Sequence, residues 1–423
     1  MESTSGRDDA PRVVYLARNA EEVARRYRGR LRRMRDEGFA VHILTAIGPG
    51  MQQLLDEGFE VQPIPVGNPG NLAGLLGTYF IVQAHLIENP AVLVHSFGHR
   101  LAWLGTYAAR QVEVPAVFST LEYHWLEDDP LHFPLGPVAQ FGVPKAVQGL
   151  EEGLNRAVGP VHRRWMRQAY RWLGRQVDRY VVTTEFDFQL VQDMELVPVE
   201  KLEIAVGATG VDLERYCLPE KGDADREGAR RALGLPQHWR QVAGWVGPVT
   251  RRHGADDLIE VIDRLSHSHP SVGWLVNPRG QIAAGQRRRL NQLEGKGRVY
   301  LLDEPDDDVE AYRAMDLLVW PGRPSTPHDA IAEAAALAVP TVGFDTPAAR
   351  SIVEPGQTGH LVFADEIEAL SITVAKLLTD PAYLRELGWR ARSRINLHFS
   401  RHDVDRQILR LYDRVLDQKL RAE

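Results

Sequence analysis

Cysteine is almost absent from this chain. Cys217 stands alone in 423 residues, so no disulfide can form within it and a reducing compartment is expected. Positive charge is not in excess either: 50 Lys and Arg against 57 Asp and Glu leave a formal −7. That balance removes the attraction on which phosphate-backbone binding relies, and it argues against nucleic acid as a partner. No apolar run is long enough to cross a bilayer, because Leu75 to Ile87 is interrupted by Gln83 and His85 and falls short of the roughly 20 residues required. The opening MESTSGRDDAPR is polar and acidic, so no secretory leader is expected. His95, His99, His124 and His132 show no metal-ligand spacing, and neither a Gly-x-Ser-x-Gly elbow nor a Ser-His-Asp order is present. These absences leave a soluble or peripherally bound protein, expected in the cytoplasm.

What the chain does have is alternation. Hydrophobic residues make up 44% of it, punctuated by 36 Gly and 26 Pro. VVYLA (13–17) is a continuous apolar run of the kind found in a parallel sheet buried on both faces. A helical stretch follows to Asp36, Gly38 stops it, and AVHILT (40–45) returns as a strand. The rhythm continues through 60–66, 92–95, 116–120 and RYVVTT (179–184), with helices at 51–57, 71–88, 101–111 and 161–176. It starts again with strands at 242–246, 272–276, 299–302, 317–320 and 341–344, and with helices at 255–266, 284–294, 309–315 and 330–337. Such alternation implies an α/β fold of two tandem Rossmann-like, doubly wound domains. The length also exceeds what one hydrophobic core fills. Between the halves, CLPEKGDADREG reads as a connection. Ligands of such sheets bind at the carboxyl ends of the strands, and two sheets in tandem are expected to leave a cleft there.

Several segments in order carry a resemblance. LRRMRDEGFAVHILT, VDRYVVTTEFDFQLV, KLEIAVGATGVDLERY, MDLLVWPGRPS and EAAALAVPTVGFDTPAARSIVEPGQTGHLV resemble the corresponding pieces of family-4 retaining glycosyltransferases of GT-B fold. LVHSFGHRLAWLGTYAARQVEVPAVFSTLEYHW most resembles those that extend polyprenyl-diphosphate-linked sugars. The resemblance implies an acceptor-binding domain over 1–215, a linker over 216–228, a nucleotide-sugar domain over 229–398, and a helix over 399–423 that crosses back. It further implies transfer of a sugar with retention from a nucleotide-diphosphate sugar, without a metal or other cofactor, to a lipid-linked or polysaccharide acceptor in envelope glycan assembly.

Candidate residues follow from the matched motifs. Glu333 would hold the donor ribose through both hydroxyls; the alternative is a helix N-terminal carboxylate held by the macrodipole. Ser325, His328 and Asp329 line the loop expected to hold the donor sugar, and Ser325 stands where the family carries a second Glu. In GPVTRRHG, Gly247 and Gly254 keep the family register, but Pro248 replaces an Arg and His253 a Lys. Those cations would offset charge gathering on the leaving diphosphate. Pro248 brings neither charge nor an N–H, so Arg251, Arg252 and His253 are the candidates to take over, unless the arginines are merely solvated. Arg279 is a further candidate for the phosphate or base. On the acceptor side the resemblance points to His99 and Glu122 as catalytic residues and to Arg100 as an acceptor contact, with Glu122 orienting or deprotonating the acceptor hydroxyl; the alternatives are a structural salt bridge for Glu122 and a surface place at a helix N-terminus for Arg100. His95 reads instead as a core histidine. The substitutions at 248, 253 and 325 keep a second reading open: a silent pseudoglycosyltransferase serving as scaffold or partner in a glycan-assembly complex.

Two Arg-rich stretches bear on location. Seven arginines between Arg25 and Arg35 surround Tyr27, Leu31 and Met34. Later, His162 to Arg175 interleaves Arg163, Arg164, Arg167, Arg171 and Arg175 with Trp165, Met166, Tyr170 and Trp172. Cations alternating with Trp and Tyr suit a helix at an anionic bilayer, which would place the protein at the inner face of the plasma membrane. A solvated face over core aromatics is the alternative.

Overall fold

The structure, a computed structural model, describes residues 10–65, 72–119, 164, 167–205, 210–218, 222–302, 308–323 and 328–422. The chain divides into two units, Met1–Thr209 with Asp405–Glu423, and Gly210–Val404.

The first unit is built on a seven-stranded sheet: β1 (Arg12–Ala17), β2 (Ala40–Thr45), β3 (Glu60–Pro63), β4 (Leu93–Phe97), β5 (Ala116–Ser119), β6 (Arg179–Val182) and β7 (Leu202–Ile204). The order is β3-β2-β1-β4-β5-β6-β7, and every pairing is parallel. Tyr15 on β1 stands opposite Ile43 and His95, which fixes the register of the central strands. The runs read as buried strands are buried: β1 and β2 expose only their first residues partly, and β4 to β6 are covered throughout. RYVVTT ends as a strand at Val182 because Thr184 caps the helix Glu185–Asp193. Its hydroxyl accepts from the Asp187 N–H and donates to the Asp187 carboxylate, a reciprocal cap that satisfies helix-end groups.

The second unit carries a six-stranded sheet: β8 (Gln241–Val249), β9 (Val272–Ile282), β10 (Val299–Leu301), β11 (Leu317–Trp320), β12 (Thr341–Phe344) and β13 (Gly359–Val362). Its order is β10-β9-β8-β11-β12-β13, again parallel. In both units the strand order reverses beside a central strand, which is the doubly wound topology the alternation predicts. β9 runs six residues beyond the expected 272–276. The β8–β9 register shifts between Gly247 and Val249, and this bulge lets the polar tail NPRGQI continue the strand.

The stretch read as a connection is not irregular throughout, since a helix spans Gly222–Ala232. Its composition, DADREGARRA, favours helix once partners exist. Arg230 supplies them by donating to the Ala314 carbonyl and to Asp316 at 2.9 and 2.6 Å.

The first Arg-rich stretch turns inward. Tyr27, Leu31 and Met34 are core residues, Tyr27 stacks on Phe97 at 4.3 Å, and Arg30 is 2% exposed with its Nε 2.8 Å from Asp405. Arg26 pairs with Glu22, while Arg28 and Arg32 pair with Glu57. The interleaved apolar residues that suggested a bilayer face therefore pack against the sheet and the last helix, Arg401–Ala422. From Asp405 onward that helix belongs to the first unit. There Tyr412 bonds Tyr15 at 2.8 Å and His95 Nδ1 at 2.5 Å, and His95 Nε2 reaches Ser119 at 2.6 Å. His95 is thus the core histidine expected. Burial, then the nearby Arg30 charge, holds its pKa well below the ordinary value.

Among the described residues no helix is long and apolar enough to cross a membrane.

Two stability predictions follow from these buried groups. Arg30→Met leaves Asp405 as an unpaired buried carboxylate, and urea melts are expected to show a loss of about 3–5 kcal/mol. Arg30→Met combined with Asp405→Leu is expected to recover most of it; a double variant as weak as the single would show that the arginine stem, not the charge pair, matters. The second concerns His42 and His85, whose rings meet at 3.2 Å. Burial lowers both to about 4, helped for His42 by Arg12 and for His85 by His42. The unfolded chain binds these protons at higher pH, so their contribution is complete above about 6.5 and is lost as pH falls toward 4. Melting temperature should drop through that window, and a His42→Gln, His85→Gln variant should flatten the slope.

Candidate functional site

The chemistry of the second unit gathers where β8, β9 and β11 end. β9 brings Asn277 and Arg279, two residues apart and so on one side of the strand. The helix Asp308–Ala314 brings Asp308 and, one turn later, Tyr312, and the short helix Asp329–Ala336 brings Glu333. That last helix is buried through Ala330–Ala336. Its alanines let it pack closely against Pro381–His398, where a Cβ on Gly388 would lie 2.1 Å from the Ala338 carbonyl oxygen.

Five of these side chains form one connected network. Asn277 Nδ2 donates to Asp308 Oδ1 at 2.9 Å. Arg279 Nη2 donates to Asp308 Oδ2 at 2.6 Å and to Glu333 Oε2 at 2.5 Å. Tyr312 donates to the same Glu333 oxygen at 2.8 Å. Asn277 is fully buried, and Glu333 and Asp308 are nearly so. Burial opposes the Arg279 charge, but Glu333 with Tyr312 and Asp308 outweighs it and raises the pKa well above the ordinary value. Burial raises the Tyr312 phenol in turn. Tyr216 packs edge-on to Tyr312 at 6.1 Å, and its phenol is pushed up by burial first and by Glu333 second.

Glu333 and Arg279 therefore come together, which the sequence does not announce. Glu333 is the fifth residue of its helix; Asp329 is the acidic residue of the first turn, after His328 as the cap residue. The macrodipole explanation for a carboxylate thus applies to Asp329. Arg279 is shared between two carboxylates, so it would have to leave them before serving a phosphate.

The loop after β8 packs against the loop after β11. Thr250 Oγ1 lies 2.6 Å from His253 Nδ1, which orients the ring. Gly254 sits at φ +87, and a Cβ there would lie 1.9 Å from the Pro321 carbonyl oxygen in the loop after β11. Gly247, at φ +155, lies at the register shift, and Pro248 follows it. The Arg251 side chain is 90% exposed and reaches Asp256 only at 3.8 Å. Arg252 belongs to the same 3-10 turn, and its side chain is outside the described residues. Ser325 also lies outside them. Just before it, Arg323 pairs with Asp257 at 2.6 Å and with Asp365, and stands over the Phe344 ring at 5.7 Å.

Of the residues expected on the acceptor side, His99 and Arg100 open the helix His99–Gln111 of the first unit; their side chains are outside the described residues. Glu122, His124 and His132 are outside them as well.

Asn277, Asp308, Tyr312 and Arg323 are the site residues that the sequence reading did not pick out. A signal existed for two of them: Asp308 and Tyr312 are four apart in DVEAY, on one face of a helix. Asn277 shows as a polar residue closing the apolar run GWLVN.

Comparison with known proteins covers both halves. Residues 22–207 match the family described as Glycosyl transferase 4-like domain, and residues 240–380 match Glycosyl transferases group 1. The lipopolysaccharide core biosynthesis mannosyltransferase LpcC of Rhizobium leguminosarum bv. viciae is 26% identical over 241 residues, 54% of this chain and 62% of that protein. A D-inositol 3-phosphate glycosyltransferase of Rhodococcus jostii (strain RHA1) is 30% identical over 221 residues, 50% of this chain and 47% of that one. The chain thus spans less than two thirds of the length of either curated relative. Among solved structures, a glycosyltransferase from Rickettsia africae ESF-5 superposes with a TM-score of 0.75 at 13% identity, over 96% of this chain and 99% of that one. Anabaena HepE in complex with UDP and glucose gives 0.72 at 16%, over 95% and 99%. These likenesses establish the two-domain, Rossmann-like GT-B fold.

The tight approach of the two loops yields a stability prediction. Gly254→Ala adds a methyl where the Pro321 carbonyl sits and forces a positive φ on a residue that resists it. A cost of about 1–3 kcal/mol is expected, read by urea denaturation. A neutral result would mean that the loop after β11 yields freely.

Proposed function

Because each half matches a glycosyltransferase domain family, we place the chain in the GT-B glycosyltransferase family and propose that it transfers a sugar from a nucleotide-diphosphate sugar to a glycan acceptor. The observation that carries the reading is the carboxylate of Glu333, nearly buried at the carboxyl end of a doubly wound sheet and aligned by an arginine and a tyrosine. Ligands of such sheets bind at that end, next to the strand where the order reverses. A carboxylate fixed there accepts hydrogen bonds from vicinal hydroxyls, which suits the ribose of the donor nucleotide. Ser325, His328 and Asp329 would follow on the sugar side, and the turn Arg251–His253 on the diphosphate.

The transfer we propose keeps the anomeric configuration and uses no metal. Charge grows on the leaving diphosphate as the glycosidic bond breaks, and the groups opposing it come from the loop after β8. His253 contributes as imidazolium; Arg251 is exposed and free to swing. On the acceptor side, His99 and Glu122 act on the hydroxyl and Arg100 contacts the acceptor. The names of the relatives support an acceptor in lipopolysaccharide-type or inositol-containing glycans, and we extend this to a lipid-linked acceptor at the inner membrane face. Contact with an anionic surface would then rest on exposed Arg164 and Arg167 and on partly exposed Trp172, not on the stretch Arg25 to Arg35. Tyr170 belongs to the core. The alternative of a silent scaffold finds no support in relatives whose names are those of transferases.

The test is titration with uridine, guanosine and adenosine diphosphates, followed by transfer and donor-hydrolysis assays with the matching nucleotide sugars. Wild type is expected to bind at least one. Glu333→Gln, which keeps shape and avoids emptying the space beside Arg279, is expected to weaken that binding by about 1.5 kcal/mol or more. Equal affinity in the variant would remove Glu333 from the donor site.

A further inference from the structure

We propose that Arg279 and Tyr312 are positioning residues that fix the Glu333 carboxylate for ribose and so make the site discriminate ribose from deoxyribose. This rests on reading Glu333 as the ribose ligand. A glutamate has three side-chain torsions, and the last is broad, so burial alone does not set the plane of its carboxylate. Here two contacts converge on Oε2 from two different elements. Arg279 Nη2 approaches from β9 and the Tyr312 hydroxyl from the helix Asp308–Ala314. Two donors on one oxygen from two elements orient the group.

The arginine itself is anchored. Asp308 accepts from the same Nη2, and Asn277 holds the other oxygen of Asp308. Asn277 lies on the strand that carries Arg279, so the network starts and returns on β9 before reaching Glu333. In a buried setting such hydrogen bonds reinforce one another. Two carboxylates also share one guanidinium, giving a formal −1. That balance disfavours a phosphate here and favours a neutral group that donates hydrogen bonds, as a diol does. A purely structural ion pair needs neither the surplus carboxylate nor unsatisfied atoms. Yet Asn277 Oδ1 and Arg279 Nε are buried beside it without a hydrogen-bond partner among the described residues, which native structures rarely leave unanswered.

The experiment compares ribonucleoside diphosphates with their 2′-deoxy counterparts, using uridine, guanosine and adenosine diphosphates as probes on the full chain. The readout is the ratio of dissociation constants, deoxy over ribo. Wild type is expected to give a ratio of about ten or more, on the scale of a hydrogen bond to a charged group. Glu333→Gln should bring it near one. Arg279→Met should do the same, and Arg279→Met with Glu333→Gln should lower it no further, since the two act as one unit. Tyr312→Phe keeps core volume, so it remains readable if Arg279→Met fails to fold; it should lose about half of the logarithm of the ratio. Arg279→Lys, which keeps the charge but not the planar fork, should restore part of it. If Glu333→Gln erases discrimination while folded Arg279→Met and Tyr312→Phe keep it, positioning is refuted and the ribose reading stands. If wild type shows no discrimination, or Glu333→Gln leaves it intact, the ribose reading falls and positioning with it.

Discussion

One buried guanidinium organises the second unit. Arg279 lies on the strand tail that the β8–β9 shift makes possible, and its Nη2 draws together a carboxylate from each of two helices. Without that charge, Asp308 and Glu333 would face each other as buried like charges. Their repulsion, and the loss of solvation that neither would recover, makes the arginine a condition of the local fold. The substitution that probes Glu333 must therefore keep a hydrogen-bonding group there. Alanine would leave a void beside Arg279 and take the acceptor from the Tyr312 hydroxyl, mixing a folding defect with a binding defect.

The first unit solves a different problem with similar means. Its last helix comes from the far end of the chain and must be fixed onto a sheet whose central strands are buried. Apolar packing of Ile408, Leu411, Tyr412 and Val415 supplies the area. The Arg30–Asp405 pair and the Tyr15–Tyr412–His95–Ser119 sequence of hydrogen bonds supply direction. Apolar faces slide at little cost, whereas a buried polar group out of register loses its partner and cannot turn to water. The polar links thus specify one docking position for the helix.

How much of this was legible depended on the range of the interaction. Continuous apolar runs such as VVYLA and AVHILT and the spacing of the helices between them are local signals, and each strand they announced starts within a residue of where periodicity puts it; the far ends of β3, β4, β6, β8 and β9 lie two to six residues away, and β7 and β13 were not expected. Glu333 was singled out by the motif around it. Its partners were not, because Arg279 precedes it by 54 residues and meets it only after two further strands and two helices have been wound. The Arg-rich stretch from Arg25 to Arg35 misled for the same reason. Seven arginines look like a surface until Asp405, 375 residues later, proves to be the partner of one of them. The helix at Gly222–Ala232 was hidden by its charge, since nothing local marks Ala314 and Asp316 as the groups its arginines bind.

The loop after β8 shows what a motif departure does and does not remove. Pro248 takes away a charge and a donor, but the backbone geometry around it persists: Gly247 at the register shift, and Gly254 at positive φ against Pro321. Geometry of that kind constrains what residues can sit there far more than it constrains their charge. The cations that remain differ in how they are held. His253 is oriented by Thr250, whereas Arg251 extends into solvent. A fixed group pays no reorganisation cost when charge develops beside it, and a mobile one does. Under the proposed function, the oriented imidazole is therefore the better-placed replacement on geometry, and its usefulness would depend on being protonated. An enzyme built this way would be more sensitive to alkaline pH than one using the arginine and lysine it lacks, because neither of those loses its charge near neutrality.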